Sequence, residues 1–103
     1  MNPKLITLLG FAQKSGNLVS GIEQVLKSID SGKVRICFLG NDVAEGTKKK
    51  VLSKCQHHRV VIYECLTTDE LSQAIGKDNR TVIGITDAGF ANSIGALLKE
   101  MGI

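Results

Sequence analysis

The sequence predicts an α/β fold in which helices cover both faces of a central sheet. Short apolar runs alternate with longer segments of helical apolar spacing along the chain, a pattern typical of sheet and helices packed in layers. The chain has 103 residues, 43% of them hydrophobic, and its only proline is Pro3. A chain of this size can bury a core without metals or disulfides, so we expect one domain over residues 1–103.

Local signals divide the chain into predicted helices and strands. Asn2 and Pro3 begin a first helix that ends near Gly16, and Leu18-Val19 is a short extended piece. Further along, helices are predicted over residues 21–31, from a cap at Asp42 to residue 56, over 68–75 and over 91–101, and strands over 34–40, 60–65 and 81–86. This order predicts a sheet of four short strands between two layers of helices.

The start of the second helix is the most informative segment. Ser20 can cap this helix with Glu23 three residues on, which leaves first-turn N–H groups and the positive end of the helix dipole facing outward. Such a terminus suits a phosphate or a nucleobase edge, and Gln24 and Lys27 add an amide and a cation on one face. The same residues also fit an ordinary helix start with a Glu23–Lys27 ion pair, and the spacing leaves both interpretations open.

Charge and aromatic content favour a polyanionic partner recognised by shape. Residues 1–50 hold eight Lys or Arg against four Asp or Glu, whereas residues 51–103 hold five against six. A basic half beside a near-neutral half indicates one face turned towards a polyanion. The chain has three Phe, one Tyr and no Trp, too few aromatic rings for a platform that stacks single-stranded bases.

The motifs of common enzymes are absent from the sequence. There is no phosphate-binding loop, no Gly-x-Gly-x-x-Gly and no Gly-x-Ser-x-Gly elbow. Asp42 and Asp87 follow predicted strands, where some phosphoryl-transfer enzymes place carboxylates, yet both also precede helices and serve equally as caps. We therefore expect no catalysis, no cofactor and no small-molecule substrate.

Cysteine spacing and hydropathy argue against a metal-binding, membrane-spanning or secreted protein. Cys37, Cys55 and Cys65 form no Cys-x-x-Cys pair, and the adjacent His57 and His58 would point about 100° apart on a helix, so we expect no metal site. Reduced, buried thiols are the expectation for Cys37 and Cys55. No apolar run approaches the roughly 20 residues of a membrane span, and no secretory signal pattern opens the chain, which predicts a cytoplasmic protein.

Several blocks of the chain resemble one family in order and content. The segment Gly21-Ile22-Glu23-Gln24-Val25-Leu26-Lys27 resembles the Gly-x-Asn/Lys-Glu/Gln-x-x-Lys motif of the kink-turn RNA-binding ribosomal protein superfamily, which includes the large-subunit proteins seven-Ae and thirty-e. Leu71-Ser72-Gln73-Ala74-Ile75-Gly76 matches its second loop and helix. The block Ile85-Thr86-Asp87-Ala88-Gly89-Phe90-Ala91-Asn92 is similar to the bacterial YlxQ-like branch.

The resemblance implies an α-β-α sandwich with a mixed four-stranded sheet, and a non-catalytic, ribosome-associated role within a ribonucleoprotein. Its ligand would be a kink-turn RNA, a sharply bent duplex with tandem sheared G·A pairs. Gly21 would then allow close approach of backbone to RNA, Glu23 and Gln24 would address the G·A edges, and Lys27 would reach a G edge or a phosphate. The remaining implied RNA-binding residues are Thr67, Thr68, Leu71 and Ser72 in or beside the second loop, over an extruded nucleotide, and the phosphate contacts Lys14 and Lys77, with Arg80 a weaker candidate.

The sequence departs from the family pattern in three places. Glu23 stands where the family has Asn or Lys, Thr68 followed by Asp69 and Glu70 replaces a basic residue, and Ser72 replaces a glycine. The acidic changes predict weaker or altered RNA binding, and they leave open a protein-interaction module like the growth-arrest stress-sensor branch. The lysines at 48, 49, 50 and 54 fit either a solvated helix face or a secondary phosphate contact.

Overall fold

The computed structural model of the chain describes residues 2–103. Its helices are α1 (Pro3–Lys14), α2 (Ile22–Asp30), α3 (Glu45–His57), α4 (Thr68–Ile75) and α5 (Ala88–Glu100). Its strands are β1 (Leu18–Ser20), β2 (Ile36–Leu39), β3 (Val61–Tyr63) and β4 (Val82–Ile85). The predicted α/β class and the order of its elements are confirmed.

The sheet is mixed, as predicted. Its strand order is β1-β4-β2-β3, with β4 antiparallel to both neighbours and β2 parallel to β3. The strands are shorter than the apolar runs from which they were predicted. Pairing nevertheless continues one residue beyond each end of β2, where Arg35 N–H donates to Ile85 O at 2.7 Å and Gly40 N–H donates to Thr81 O at 2.8 Å.

Helices cover both faces of the sheet, which confirms the three-layer α-β-α sandwich. Helices α1, α4 and α5 pack on one face around fully buried residues such as Leu9, Leu71 and Ile94. Helices α2 and α3 pack on the other face through Val25 and Val51. Within residues 2–103, no helix combines the length and apolar character that crossing a bilayer requires.

Two of the predicted helix starts show their caps directly. Asn2 Oδ1 accepts the Lys4 N–H at 2.8 Å, and Pro3 occupies the first helical position of α1. Asp87 Oδ2 accepts the Phe90 N–H at 2.9 Å, so α5 begins at Ala88 rather than at the predicted residue 91. Asp87 is thus a helix cap, one of the two roles open to it from the sequence.

Gly84 lies where β4 packs tightly between its two neighbours. A Cβ at this position would lie 3.1 Å from both γ-carbons of Val34 and 3.3 Å from Val19 Cγ2, closer than ordinary van der Waals contact. We expect Gly84→Ala to lower the free energy of unfolding by about 1–3 kcal/mol, measured by denaturant titration. Gly95→Ala is the matched control, because nothing lies within 4 Å of a Cβ there and alanine favours the helix, raising stability by up to about 1 kcal/mol. Equal effects of the two substitutions would contradict this packing.

Candidate functional site

Four loops meet at one edge of the sheet, because β1, β2 and β3 end there and β4 begins there. Backbone hydrogen bonds tie the loops together: Gly21 N–H donates to Val82 O at 3.0 Å, and Asn41 N–H donates to Leu66 O at 2.9 Å. The ends of strands are where α/β proteins commonly bind ligands. We call this region the loop edge; it comprises residues 20–24, 40–44, 64–70 and 76–81, which include the first turns of α2 and α4.

The start of α2 differs from the predicted capping box. The N-cap is Gly21, with φ of +90°, and no side chain accepts a hydrogen bond from the first turn within the described part of the chain. Ser20 is instead the last residue of β1, so the prediction that it caps α2 with Glu23 is wrong. The backbone turn at Gly21 is one that side-chain-bearing residues rarely adopt, which explains the glycine. The first-turn N–H groups are therefore left open.

A polar cleft of about 410 Å³ opens beside this helix start. It brings the predicted residues Gly21, Glu23 and Gln24 together with the α4–β4 loop. Its lining residues are Ser20, Gly21, Ile22, Glu23, Gln24, Asn79, Arg80 and Thr81. The cleft thus combines backbone donors, a carboxylate, an amide and a guanidinium within one concave surface.

Arg80, which the sequence indicated only weakly as a phosphate contact, lines this cleft. Its Nε–H donates to Ser20 Oγ at 3.2 Å and its Nη1–H donates to Asp78 O at 3.3 Å. These bonds hold the guanidinium beside the α2 start and leave other N–H donors of the group available. Because 60 positions separate Ser20 from Arg80, no local sequence pattern signals this approach.

Gln24 and Lys27 are both exposed on α2, as predicted. The spacing from Gln24 to Lys27 places the two side chains on one side of the helix. Glu23 is also exposed, but the ion pairs found among residues 2–103 do not include Glu23 with Lys27. The i,i+4 pair considered from the sequence is therefore not formed.

The predicted second loop contains a capping box. Thr67 Oγ1 accepts the Glu70 N–H at 3.1 Å, and Glu70 Oε1 accepts the Thr67 N–H at 2.9 Å. The Glu70 carboxylate is thereby held against the backbone, so this acidic departure from the family pattern has a structural role. Asp69, next to it, is exposed at the loop edge.

Leu71 and Ser72 are not surface residues, which corrects the prediction that they contact a ligand. Leu71 is fully buried in the core. Ser72 is buried as well; its hydroxyl donates to Thr68 O at 2.8 Å and accepts the Arg80 N–H at 2.9 Å. Ser72 therefore positions the loop that carries Arg80, because its side chain supplies hydrogen bonds that a glycine could not.

Asp42 does not cap α3 as predicted. The N-cap of α3 is Ala44, and Asp42 Oδ1 instead accepts both the backbone N–H of Thr68 at 2.9 Å and its hydroxyl at 2.8 Å. These hydrogen bonds, the backbone one first, hold the pKa of Asp42 below its ordinary value. The contact links the β2–α3 loop to the start of α4.

The two predicted phosphate-contacting lysines lie apart from the cleft. Lys14 is exposed on the last turn of α1, and the following Asn17 accepts the Thr86 N–H at the opposite end of β4. The structure therefore places Lys14 away from the loop edge. Lys77 is exposed within the loop that leads from α4 towards Arg80.

The cysteine and histidine side chains of residues 2–103 form no metal site. Cys37 and Cys55 are buried free thiols, as predicted, and hydrogen bonding to Cys55 together with burial raises the pKa of Cys37. The rings of His57 and His58 meet edge to face with centroids 5.0 Å apart. Among residues 2–103, no group of three or more His, Cys, Asp or Glu side chains is arranged to hold a metal ion.

Comparison with known proteins agrees with this architecture. Residues 4–94 match the model of the Ribosomal protein L7Ae/L30e/S12e/Gadd45 family. The chain belongs to this family. It is 38% identical over 96 residues to RNA-binding protein YlxQ of Enterococcus faecium, covering 93% of this chain and 92% of that protein. It is 36% identical over 91 residues to RNA-binding protein YlxQ of Bacillus subtilis (strain 168), covering 88% and 91%. The resemblance to the YlxQ-like branch is confirmed.

Solved structures share the fold. A protein from Bacillus halodurans superposes with a TM-score of 0.88 at 38% identity, covering 95% of this chain and 99% of that one. The Giardia lamblia 15.5kD RNA binding protein superposes with a TM-score of 0.77 at 16% identity, covering 97% and 89%. At that lower identity the match concerns the fold alone.

The Asp42–Thr68 contact predicts a pH-dependent stability. Since the folded-state pKa of Asp42 is lowered, its contribution is fully present above the unfolded value of about 4 and is lost as the pH falls through the folded value. Asp42→Ala should be less stable than the wild type at neutral pH, and the difference should shrink on acidification. Asp42→Asn is the control, since it keeps an oxygen acceptor but cannot titrate. A stability difference that stays constant down to acidic pH would contradict this role.

Proposed function

We propose that this chain binds structured RNA at the loop edge, and that its ligand is a kink-turn or a similarly bent duplex. The observation that carries the proposal is the convergence of open α2 N–H groups, Gln24 and Arg80 on one cleft. The family match and the names of the two bacterial relatives support RNA as the ligand class. The role is one of binding rather than catalysis, in a ribonucleoprotein such as the ribosome.

The chemistry of the cleft fits nucleotides in particular. Backbone N–H groups at the positive end of α2 donate to phosphate or base oxygens. The Gln24 amide carries both donors and an acceptor and can read a base edge, and Arg80 presents planar donors that suit phosphate and guanine acceptors. This combination distinguishes a nucleic-acid site from a simple anion site, which needs donors alone.

The shape of the cleft favours bent RNA over a regular duplex. The concave surface lies between α2 and the α4–β4 loop. In a regular A-form duplex the bases are recessed, and few of their edges can be reached by side chains. Bends, bulges and ends expose base edges. The implied role of Thr67 and Thr68 beside an extruded nucleotide becomes part of this proposal, since both side chains are partly exposed at the loop edge.

A kinked RNA should bind more tightly than a straight duplex of equal length. The physical reason is that only the kinked RNA presents base edges to the Gln24 and Arg80 cleft. Gel shifts at about 50 mM salt, where phosphate contacts are least screened, measure both affinities. Equal binding to the two RNAs would reject shape recognition. Absence of binding to either RNA would favour the protein-interaction alternative.

Glu23→Asn should tighten binding to a kinked RNA. The change removes a negative charge from the cleft and supplies an amide donor and acceptor. Because Glu23 forms no capping hydrogen bond, only its dipole interaction is lost, about 0.3–1 kcal/mol of stability. RNA titration and thermal unfolding of the same variant measure the two effects.

Glu100→Gln is the matched control for Glu23→Asn. It makes the same change in net charge on α5, an exposed position in the opposite helical layer. A local effect requires that only the Glu23 variant gains affinity. If both variants gain equally, or if neither does, Glu23 does not face the RNA.

A further inference from the structure

Helices α2 and α3 run side by side in the same direction. Both begin at the loop edge and end at the opposite edge of the sheet, and both pack on the same sheet face. Their ends are joined by Asp30, whose carboxylate oxygens each lie 3.0 Å from Lys54 Nζ and whose Oδ1 lies 3.1 Å from His58 Nε2. These contacts fix which sides of the two helices face one another.

Parallel helices with this pairing bring two further lysines to one groove. Lys27 lies one turn before Asp30 on α2, and Lys50 lies one turn before Lys54 on α3. Because Asp30 and Lys54 contact each other, Lys27 and Lys50 lie on the solvent side of the contact between the two helices. Both side chains are exposed. We call this surface the α2–α3 groove and define it by Lys27, Lys50 and Lys54.

The groove is concave and cationic. A cleft of about 330 Å³ on its α3 side is lined by Lys50, Ser53, Lys54 and His57. No acidic side chain lines this cleft, and the Asp30 carboxylate is already engaged by Lys54 and His58. In the described part of the chain, Lys48 pairs with Glu64 at 3.4 Å, whereas Lys27, Lys49 and Lys50 have no acidic partner within 4 Å.

We propose that the α2–α3 groove binds backbone phosphates of the duplex that flanks the kinked segment, with Lys27 and Lys50 on its two sides. This inference rests on the proposed function, because Lys27 lies on the same side of α2 as Gln24, and Gln24 lines the cleft at the start of that helix. Asp30 holds the Lys54 ammonium group, so the Lys54 side chain lines the groove in a fixed position. The Ser53 hydroxyl supplies a neutral hydrogen-bond donor. RNA is favoured over an acidic polypeptide because the groove shares helix α2 with a cleft whose amide and guanidinium groups suit nucleotides.

The groove gives the protein a second kind of contact with RNA. Phosphate contacts add affinity without reading shape, and each one releases condensed counterions. The cleft at the loop edge would select the bent segment, while the groove would strengthen the binding of any RNA that extends past it. Loss of a groove lysine should therefore weaken kinked and straight duplexes by the same factor.

The test compares Lys50→Gln with Lys49→Gln. These adjacent lysines are both exposed on α3, but they point about 100° apart, so only Lys50 borders the groove. Affinities for a kinked and a straight duplex are measured from about 50 to 200 mM salt. Lys50→Gln should reduce the slope of log affinity against log salt by about 0.7–0.9 for both RNAs, and Lys49→Gln should leave it unchanged. Lys50→Arg should restore the slope, and circular dichroism should show all variants folded.

Each other outcome has a defined meaning. Equal slopes for the Lys49 and Lys50 variants, with wild-type binding intact, would overturn the groove assignment and leave the proposed function standing. A slope change at Lys50 without any preference for kinked RNA would support the groove and reject shape recognition. Absence of RNA binding by the wild type would overturn both. A polyglutamate peptide that binds the wild type more tightly than either RNA, and that Lys50→Gln weakens, would assign the groove to acidic polypeptides instead.

Discussion

The position of β4 between β1 and β2 is the constraint on which the candidate site depends. Because β4 is antiparallel to both neighbours, its first residue lies beside the last residues of two strands that are distant from each other in sequence. The loop before β4 is therefore brought to the start of α2. Gly84 suits this close packing, since a Cβ there would lie only 3.1–3.3 Å from the γ-carbons of Val34 and Val19.

Side-chain hydrogen bonds then fix the loops that the sheet brings together. Asp42 holds Thr68, Glu70 holds Thr67, and Ser72 holds the backbone of Arg80. The first two bonds satisfy backbone N–H groups at the start of α4, and the third satisfies the backbone N–H of Arg80 in the loop before β4. Several polar residues of this region thus serve to shape the surface, and the residues free to meet a ligand are fewer than the polar composition implies.

Charge is divided between the two helical layers. Residues 21–59, which include α2 and α3, hold eight Lys or Arg against four Asp or Glu. Helices α2 and α3 cover one face of the sheet, so much of the excess positive charge lies on one side of the molecule. Acidic residues at the loop edge oppose this positive field locally. Glu70 forms part of a capping box, and Glu23 lines the cleft. The balance between them sets how strongly a polyanion is attracted to each part of the surface.

The sequence by itself determined the layered α/β fold, the order of its elements and the burial of residues such as Val25 and Cys37. Apolar periodicity and caps such as Asn2 act over a few residues, and such local signals are readable without a structure. Only the tertiary structure decided that Arg80 joins the α2 start, that Asp42 binds Thr68 rather than capping α3, and that Ser72 is buried. These contacts join residues brought together by strand pairing and helix packing, and no local pattern encodes which distant partner a polar side chain will meet.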